Sequence, residues 1–331
     1  MIQYAKKGKR AFTGVIVLEV GSRVHGDRLI SLRSVVRSHF PLPKKSMNYN
    51  DITVGIVAFK SEKVIFDCLK SIKYLKRIII FDNSCDVAIK KKIKKIYPNV
   101  NFVLSNKNLG YGEGNNKIIN LCKTKYLFIL NPDTILQKNC EVNLVKSINN
   151  NKIDFTIMAP ISNKKDFGNF NNIQINFTKG LAEVDFVKGY AMLINVKRIK
   201  KLGMFDKNIF LYLEEIDLCK RVKKNNEKIY VNKNAKILHL EAKSTSLKFE
   251  FEKCRNWHWM WSKVYFSKKY SNYFFTFIKF LPQLFLIFIK LIIYFLILKN
   301  KKSIIYYYRI SGMFNALIGK KSWYRPKSIE N

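Results

Sequence analysis

ITVGIVAF at residues 52–59 is followed by RIIIFD at 77–82, VNFVLS at 100–105 and YLFIL at 126–130, four short apolar runs rich in β-branched and aromatic side chains. Runs of this length between polar segments read as buried strands. Val64–Leu75 carries apolar residues at helical spacing, a basic helix runs through Lys95, and a third helix ends near Cys122. Strand and helix alternating four times predict an α/β fold, a doubly wound parallel sheet covered on both faces. Ligands of such sheets bind beyond the carboxyl ends of the strands. Polar residues gather at those ends here: Asp82-Asn83, Asn108-Leu109-Gly110 and Asn131-Pro132-Asp133.

Farther along, VDFVKGYAMLINVKRIKKLGMFD at 184–206 reads as a strand with a short helix. FLYLEEIDLCKR at 210–221 reads as an acidic helix start, and IYVNKNAKILHLEAKST at 229–245 as two short strands. The segment 248–331 changes character, becoming basic, aromatic and helical. Within it, Phe274–Leu298 is apolar but carries Lys279, Pro282, Gln283 and Lys290. Its part from Phe280 to Leu298 is long enough to cross a bilayer. A lysine inside a span is costly, so the interruptions favour a helix lying in the membrane interface.

With 61 Lys+Arg against 23 Asp+Glu, the chain carries +38. That balance speaks of polyanionic partners, namely nucleic acid, an anionic membrane or phosphorylated small molecules, and not of fold. The basic residues are spread along the chain and no run marks a nucleic-acid arm. Aromatic residues beside basic ones near the C-terminus suit a membrane surface. The expected partners therefore exclude nucleic acid. Six scattered cysteines without a paired spacing imply reduced thiols in the core. No signal peptide is legible, since Phe12–Val20 is too short an apolar stretch. Residues 1–46 contain no Asn whereas the chain beyond Met47 is rich in it, which predicts a poorly ordered extension before a catalytic domain over 47–247.

Several side chains have the chemistry of a site, each with a plainer reading. Asp133 at a strand end is placed to hold a divalent cation, yet Asn-Pro-Asp is also a strong turn former. Asp82 could accept a hydrogen bond from a base or ribose, or cap the next helix, a role open to Ser84 and Asp86 as well. Asn108–Asn116 is a glycine-rich strand-to-helix loop through which a backbone can approach an anion; it is neither a Walker loop nor a GxGxxG fingerprint. Glu214, Glu215 and Asp217 crowd one helix start, where carboxylates are favourable by roughly 0.3–1 kcal/mol each. An unpaired carboxylate there would also suit proton abstraction from a hydroxyl. His239, one of four histidines, has no role that local sequence decides.

Taken in order, ITVGIVAFKS, FDNS, NKNLGYGEGNN, LNPDT, VDFVKGYAMLI, LGMFDKNIFLYLEEIDLCKR and HLEAKS, ending with CRN near Arg255, resemble glycosyltransferase family 2, in its bacterial rhamnosyltransferase-like branch. The resemblance covers roughly residues 51–260. It implies a GT-A fold and an inverting, metal-dependent transfer from a nucleoside-diphosphate sugar to a lipid-linked glycan, in cell-surface polysaccharide assembly at the cytoplasmic face of the membrane. The enzyme would be peripheral or monotopic. By position, Asp82, Asn108, Gly110, Asn116 and Asn131 match donor contacts, and Asp133 the metal-binding acid, with Mg²⁺ or Mn²⁺ as cofactor. His239 matches a position that completes the metal shell in some relatives, and Ser244 the serine that follows it. Gly189 and Tyr190 fall on the acceptor side. Glu214 and Glu215 match a Glu-Asp pair whose second member is the general base, with Asp217 and Arg221 holding the helix start. Three departures stand out: Glu215 replaces an Asp, Tyr190 a small residue, and Ile118 a Gly, changes expected to reshape the pockets. An inactive relative that still grips nucleotide sugar is the alternative reading.

Overall fold

The computed structural model describes residues 47–151, 153–163, 166–171, 173–240 and 248–325. The extension expected over 1–46, and Ser244, lie outside the described residues. The chain enters through a single 3₁₀ turn, Tyr49–Asp51, capped by Asn48. Then follow β1 (Ile52–Ala58), α1 (Glu62–Ser71), β2 (Arg77–Asp82), α2 (Val87–Ile96), β3 (Asn101–Leu104), α3 (Tyr111–Leu121) and β4 (Tyr126–Leu130). After them come β5 (Thr134–Leu136), α4 (Cys140–Asn151), β6 (Ile157–Ile161), β7 (Phe167–Gly168), β8 (Leu181–Glu183), β9 (Phe186–Val187), β10 (Ala191–Asn195) and α5 (Val196–Lys201). The remaining elements are α6 (Glu214–Lys224), β11 (Ile229–His239), α7 (Lys248–Tyr270), α8 (Tyr273–Leu296) and α9 (Asn300–Leu317).

The main sheet runs β3-β2-β1-β4-β10-β6-β11-β5, with β8 also on β11. β1 to β4 pair in parallel, as their alternation with helices requires. β10 is antiparallel to both β4 and β6, so the sheet is mixed, not wholly parallel. The two short strands expected near residue 230 are one strand, β11, whose register slips between Asn232 and Lys236. Beyond that irregularity Lys236 still pairs with Ile161 of β6, and Ile237 to His239 pair with β5.

All seven residues of β1 are buried, because helices cover both of its faces. Ile65 and Leu69 of α1, Ile89 and Ile93 of α2, and Leu144 of α4 fill one side. Ile118 and Ile119 of α3, Ile199 of α5, and Leu218 and Val222 of α6 fill the other. Each such side chain contributes about 1.5–3 kcal/mol on burial. Ile118 does not reshape a ligand pocket, as expected above. It is fully buried over Gly55 of β1, where an added Cβ would lie 2.7 Å from its methyl carbon. The glycine opposite makes room for the larger side chain.

The three last helices share a separate apolar core around Trp257, Trp261, Val264, Phe280, Ile287 and Met313, joined by Phe210 from the segment before α6. Gly312 of α9 lets that helix cross against the backbone of α7, since a Cβ there would come within 2.2 Å of the Trp257 carbonyl oxygen. In α8 only Thr276, Phe280 and Ile287 are buried, while Phe274, Phe277, Leu281, Phe285, Phe288 and Ile292 are exposed. By length and composition α8 could cross a membrane.

Candidate active site

Three groups converge on the carboxyl rim of β1, β2 and β4. The first is the loop before α3. Gly110 has φ of +84°, and a Cβ there would sit 2.3 Å from the Phe210 carbonyl oxygen. The Asn108 side chain accepts from the Gly110 N–H at 3.0 Å. Asn83 ties the loop down twice, donating to the Gly110 carbonyl at 3.0 Å and accepting from the Leu109 N–H at 3.1 Å. Beside this loop opens a cleft of about 690 Å³ bordered by Phe59, Asn83, Asn108 and Trp323. Lys60, Lys107, Lys207 and Arg325 bring four positive charges to it. Sequence reading missed these four, because they lie up to 265 positions apart and lysine is everywhere in this chain.

Arg325 reaches the cleft because the segment after α9 folds back onto α7. His258 of α7 is buried, its Nε2 lying 2.8 Å from the Tyr324 carbonyl oxygen. Burial holds its imidazole neutral, with a pKa pushed down to about 3. The Arg325 guanidinium lies 3.8 Å from the ring centre of Phe210, the residue whose carbonyl receives the Tyr111 N–H at the start of α3.

Asp82 is buried at the end of β2, with one oxygen receiving the Ser84 N–H at 2.7 Å and the Ser84 hydroxyl. It does not cap α2; Asp86 does, accepting from the N–H groups of Ala88 and Ile89. The second Asp82 oxygen has no hydrogen-bond partner, and burial raises its pKa. Asn116 is placed differently from the role its resemblance implied. Its amide grips both the N–H and the carbonyl of Phe205, latching α3 to the chain before α6.

The second group stands where β4 ends. Asp133 is 1% exposed and its Oδ1 accepts no hydrogen bond. The nearest cation-forming group is His239 Nε2 at 3.5 Å. These two residues, 106 positions apart, meet because β11 pairs antiparallel with β5, placing His239 opposite Thr134. Asn131 Oδ1 is likewise buried without a partner. The Tyr190 ring stacks on His239 at 4.4 Å, and the Tyr190 carbonyl receives the N–H of Asn131 at 2.8 Å, so Tyr190 braces the Asp133 turn. Two buried, unbonded carbonyl-type oxygens beside an imidazole form a donor set that suits a hard divalent cation. Among the described residues, no group of three or more His, Cys, Asp or Glu side chains stands ready to hold a metal.

The third group is the start of α6. Tyr212 and Leu213, with φ of +72° and +68°, turn the chain sharply into the helix. Such left-handed positions cost of order 1–3 kcal/mol each and concentrate at functional sites. They aim Glu214 and Glu215 inward. Glu215 lies against Gly189, where an added Cβ would be 3.3 Å from the Glu215 Cβ. Glu214 Oε2 is buried without a partner. Burial raises the pKa of both carboxyls, Glu214 more strongly because Glu215 repels its charge; Lys188 partly offsets the effect at Glu215. Tyr111 sits among all these acids. Its phenol donates to the Gly189 carbonyl, and its pKa is raised by burial, then by the charges of Glu214, Glu215 and Asp133.

Asp217, grouped with these acids by sequence, is fully engaged elsewhere. Its carboxylate is buried and receives Arg221 Nε at 2.8 Å, Lys269 Nζ at 2.6 Å and the Tyr270 hydroxyl at 2.9 Å. Arg221 also donates to the carbonyls of Leu202 and Met204. Asp217 is thus a clamp between α6 and α7. Replacing it by Ala leaves Arg221 without its carboxylate, while Lys269 keeps Asp206, and lowers stability by about 3 kcal/mol, measurable by denaturant unfolding.

A mixed α/β sheet with a cationic cleft beside a glycine loop, an unbonded buried aspartate and a glutamate pair defines a glycosyltransferase of the GT-A type. The family model for Glycosyl transferase family 2 matches residues 53–217, and the chain belongs to that family. It is similar to the low-salt glycan biosynthesis hexosyltransferase Agl10 of Haloferax volcanii, with 24% identity over 54% of this chain and 63% of that protein. It is also similar to the rhamnosyltransferase WbbL of Escherichia coli, with 22% identity over 58% of this chain and 83% of that one. The chain thus spans less than two thirds of the first relative's length. The mannosyltransferase PcManGT of Pyrobaculum calidifontis, solved with GDP-Man and Mn²⁺, shares the fold. Its TM-score is 0.50 at 11% identity, over 81% of this chain and 87% of that one.

Proposed function

We propose that the chain transfers a sugar, with inversion at the anomeric carbon, from a nucleoside-diphosphate sugar to a hydroxyl of a lipid-linked saccharide in cell-surface polysaccharide assembly. The observation that carries this reading is that Glu215 and the buried Tyr111 meet at Gly189, and that the charges of Glu214, Glu215 and Asp133 all act on the Tyr111 phenol, so the acids share one site. The donor would lie along the cleft lined by Asn83, Asn108 and the four cations, with Asp82 toward its base or ribose. Glu215 takes the proton of the attacking hydroxyl while the new bond forms to the anomeric carbon. The bond from that carbon to the diphosphate oxygen breaks, and the electron pair leaves with the diphosphate. Glu214 and the turn at Tyr212–Leu213 orient Glu215, and Arg255 anchors the turn by donating to the Tyr212 hydroxyl at 2.5 Å.

Asp133 and His239 would hold Mg²⁺ or Mn²⁺, which when bound supplies positive charge to the departing diphosphate. A thermal-shift screen of nucleoside-diphosphate sugars with and without Mn²⁺ tests the donor half. One donor class is expected to raise the melting temperature, by more in the presence of Mn²⁺, because binding to the folded state alone stabilises it. No shift with any nucleotide sugar would end the reading.

The membrane half of the proposal is supported by the exposed aromatic face of α8 and by +38 of net charge. The enzyme would lie on the cytoplasmic leaflet, each basic residue near the surface contributing about 1 kcal/mol. Flotation with anionic vesicles should carry the protein upward. Phe285→Asp with Phe288→Asp should abolish flotation, since a charge within the apolar layer costs about 2.5–3.5 kcal/mol. Flotation that survives both changes would exclude α8 as the anchor.

A further inference from the structure

Lys220 of α6, Lys263 of α7 and Lys279 of α8 line one cavity of about 430 Å³, walled by Trp259, Phe266 and Phe280. None of the three takes part in an ion pair among the described residues, although neighbouring Lys269 pairs with both Asp206 and Asp217. Their ammonium groups face rings instead, Lys220 at 4.1 Å from the centre of Tyr270 and Lys263 at 5.6 Å from Trp259. Burial pushes the Lys263 ammonium pKa down, and Lys279 and Arg309 push it the same way. Like charges gathered at a partly enclosed site without a counter-charge are completed by an anion.

The cavity's position says which anion. Leu213, the residue before Glu214, forms part of its wall. α8, whose outer face is apolar and exposed, contributes Lys279, Phe280 and Gln283. An occupant would therefore meet the catalytic helix on one side and the bilayer-facing helix on the other. We propose that this cavity holds the diphosphate of a lipid-diphosphate acceptor, with the apolar tail running along α8 and the saccharide directed toward Glu215. The proposal rests on the lipid-linked acceptor argued above and adds a site for its head group, distinct from the donor cleft around Arg325.

Calorimetric titration of the full chain in detergent, without nucleotide sugar, tests it. Farnesyl diphosphate should bind more tightly than either farnesol or inorganic pyrophosphate. Lys263→Ala with Lys279→Ala should weaken farnesyl diphosphate roughly tenfold or more and leave farnesol unchanged. Lys279 is exposed, so Lys279→Glu alone provides a variant whose folding is secure, and it should weaken binding as well. Lys60→Ala with Lys207→Ala, in the donor cleft, should have no effect. The inference is overturned if the donor-cleft variant is the one that loses farnesyl diphosphate, or if phosphatidylglycerol displaces it at equal concentration. It is also overturned if the lysine variants bind like the parent. Because no sugar donor is present, a failure here leaves the nucleotide-sugar shifts standing, and a failure of those shifts leaves this binding measurable.

Discussion

Glu215→Gln is expected to lower sugar transfer by about 10²–10⁴-fold, the usual contribution of a positioned general base. Donor affinity should stay unchanged, since Glu215 lies against Gly189 and outside the cleft around Asn83 and Asn108. The parent enzyme should also show a pH limb of definite sign. Burial lifts the Glu215 pKa above its ordinary 4.5, so turnover rises with pH as the carboxyl loses its proton, at a pH higher than an exposed glutamate would give. Glu215→Asp should restore part of the rate and keep the limb. The family resemblance implies an Asp at the base position, and the shorter side chain only shifts the carboxylate by roughly an ångström. Equal turnover of the Gln variant and the parent would remove Glu215 from the mechanism.

The same burial has a consequence for stability. A carboxyl whose pKa is raised by folding favours the folded state below its unfolded pKa, and loses that contribution as pH rises through the folded value. Glu214 and Glu215 both fall in this class. Glu214→Gln, measured in chelator, should therefore melt higher than the parent at neutral pH, by about 2–4 °C for each kcal/mol relieved. The difference should vanish in acid, where the parent is protonated too. Such a gain accompanied by slower transfer is the signature of a site that holds charge against its own stability.

Asp133→Ala is the second large expectation. If Asp133 and His239 hold the cation, transfer should fall roughly 10²-fold or more, because a bound divalent ion is worth several kcal/mol of charge stabilisation. The Mn²⁺-dependent part of the donor-induced thermal shift should disappear as well. Loss of folding would not explain this result. Asp133 Oδ1 is buried without a donor, so removing the carboxylate relieves a desolvation penalty, and the variant should be at least as stable as the parent. An unchanged metal response would place the cation elsewhere. His239→Gln should show the same loss in weaker form, since one of two side-chain ligands remains.

The first half of the sheet was legible because its signals are local. β1 through β4 are short apolar runs between amphipathic helices, and the residues after them must lie on one rim whatever the rest of the chain does. Asn108 and Gly110 could be found for the same reason, as part of a glycine-rich strand-to-helix loop; that a Cβ at Gly110 would strike Phe210 is a fact of the fold. Asn116 was placed at the ligand by resemblance, and the fold gives it to Phe205. Asp217 shows the same limit: three acids in four residues look alike in sequence, yet one is neutralised by Arg221, Lys269 and Tyr270 while two face Tyr111. Arg221 lies one helical turn away and could be paired from sequence, but Lys269 and Tyr270 are too distant in the chain to leave a periodicity to read.

By itself the sequence determined the alternation of strand and helix, the rim on which polar residues collect, and the basic, aromatic character of the C-terminal helices. Each of these follows from the spacing of apolar side chains or from net charge, quantities that need no knowledge of what touches what. The tertiary structure alone decided that His239 stands beside Asp133, that Arg325 borders the cleft beside the glycine loop, and that three lysines from three helices share one cavity. Those are contacts made by strand pairing and helix packing across tens to hundreds of residues, and only the folded chain brings such charges close enough for burial and proximity to change their chemistry.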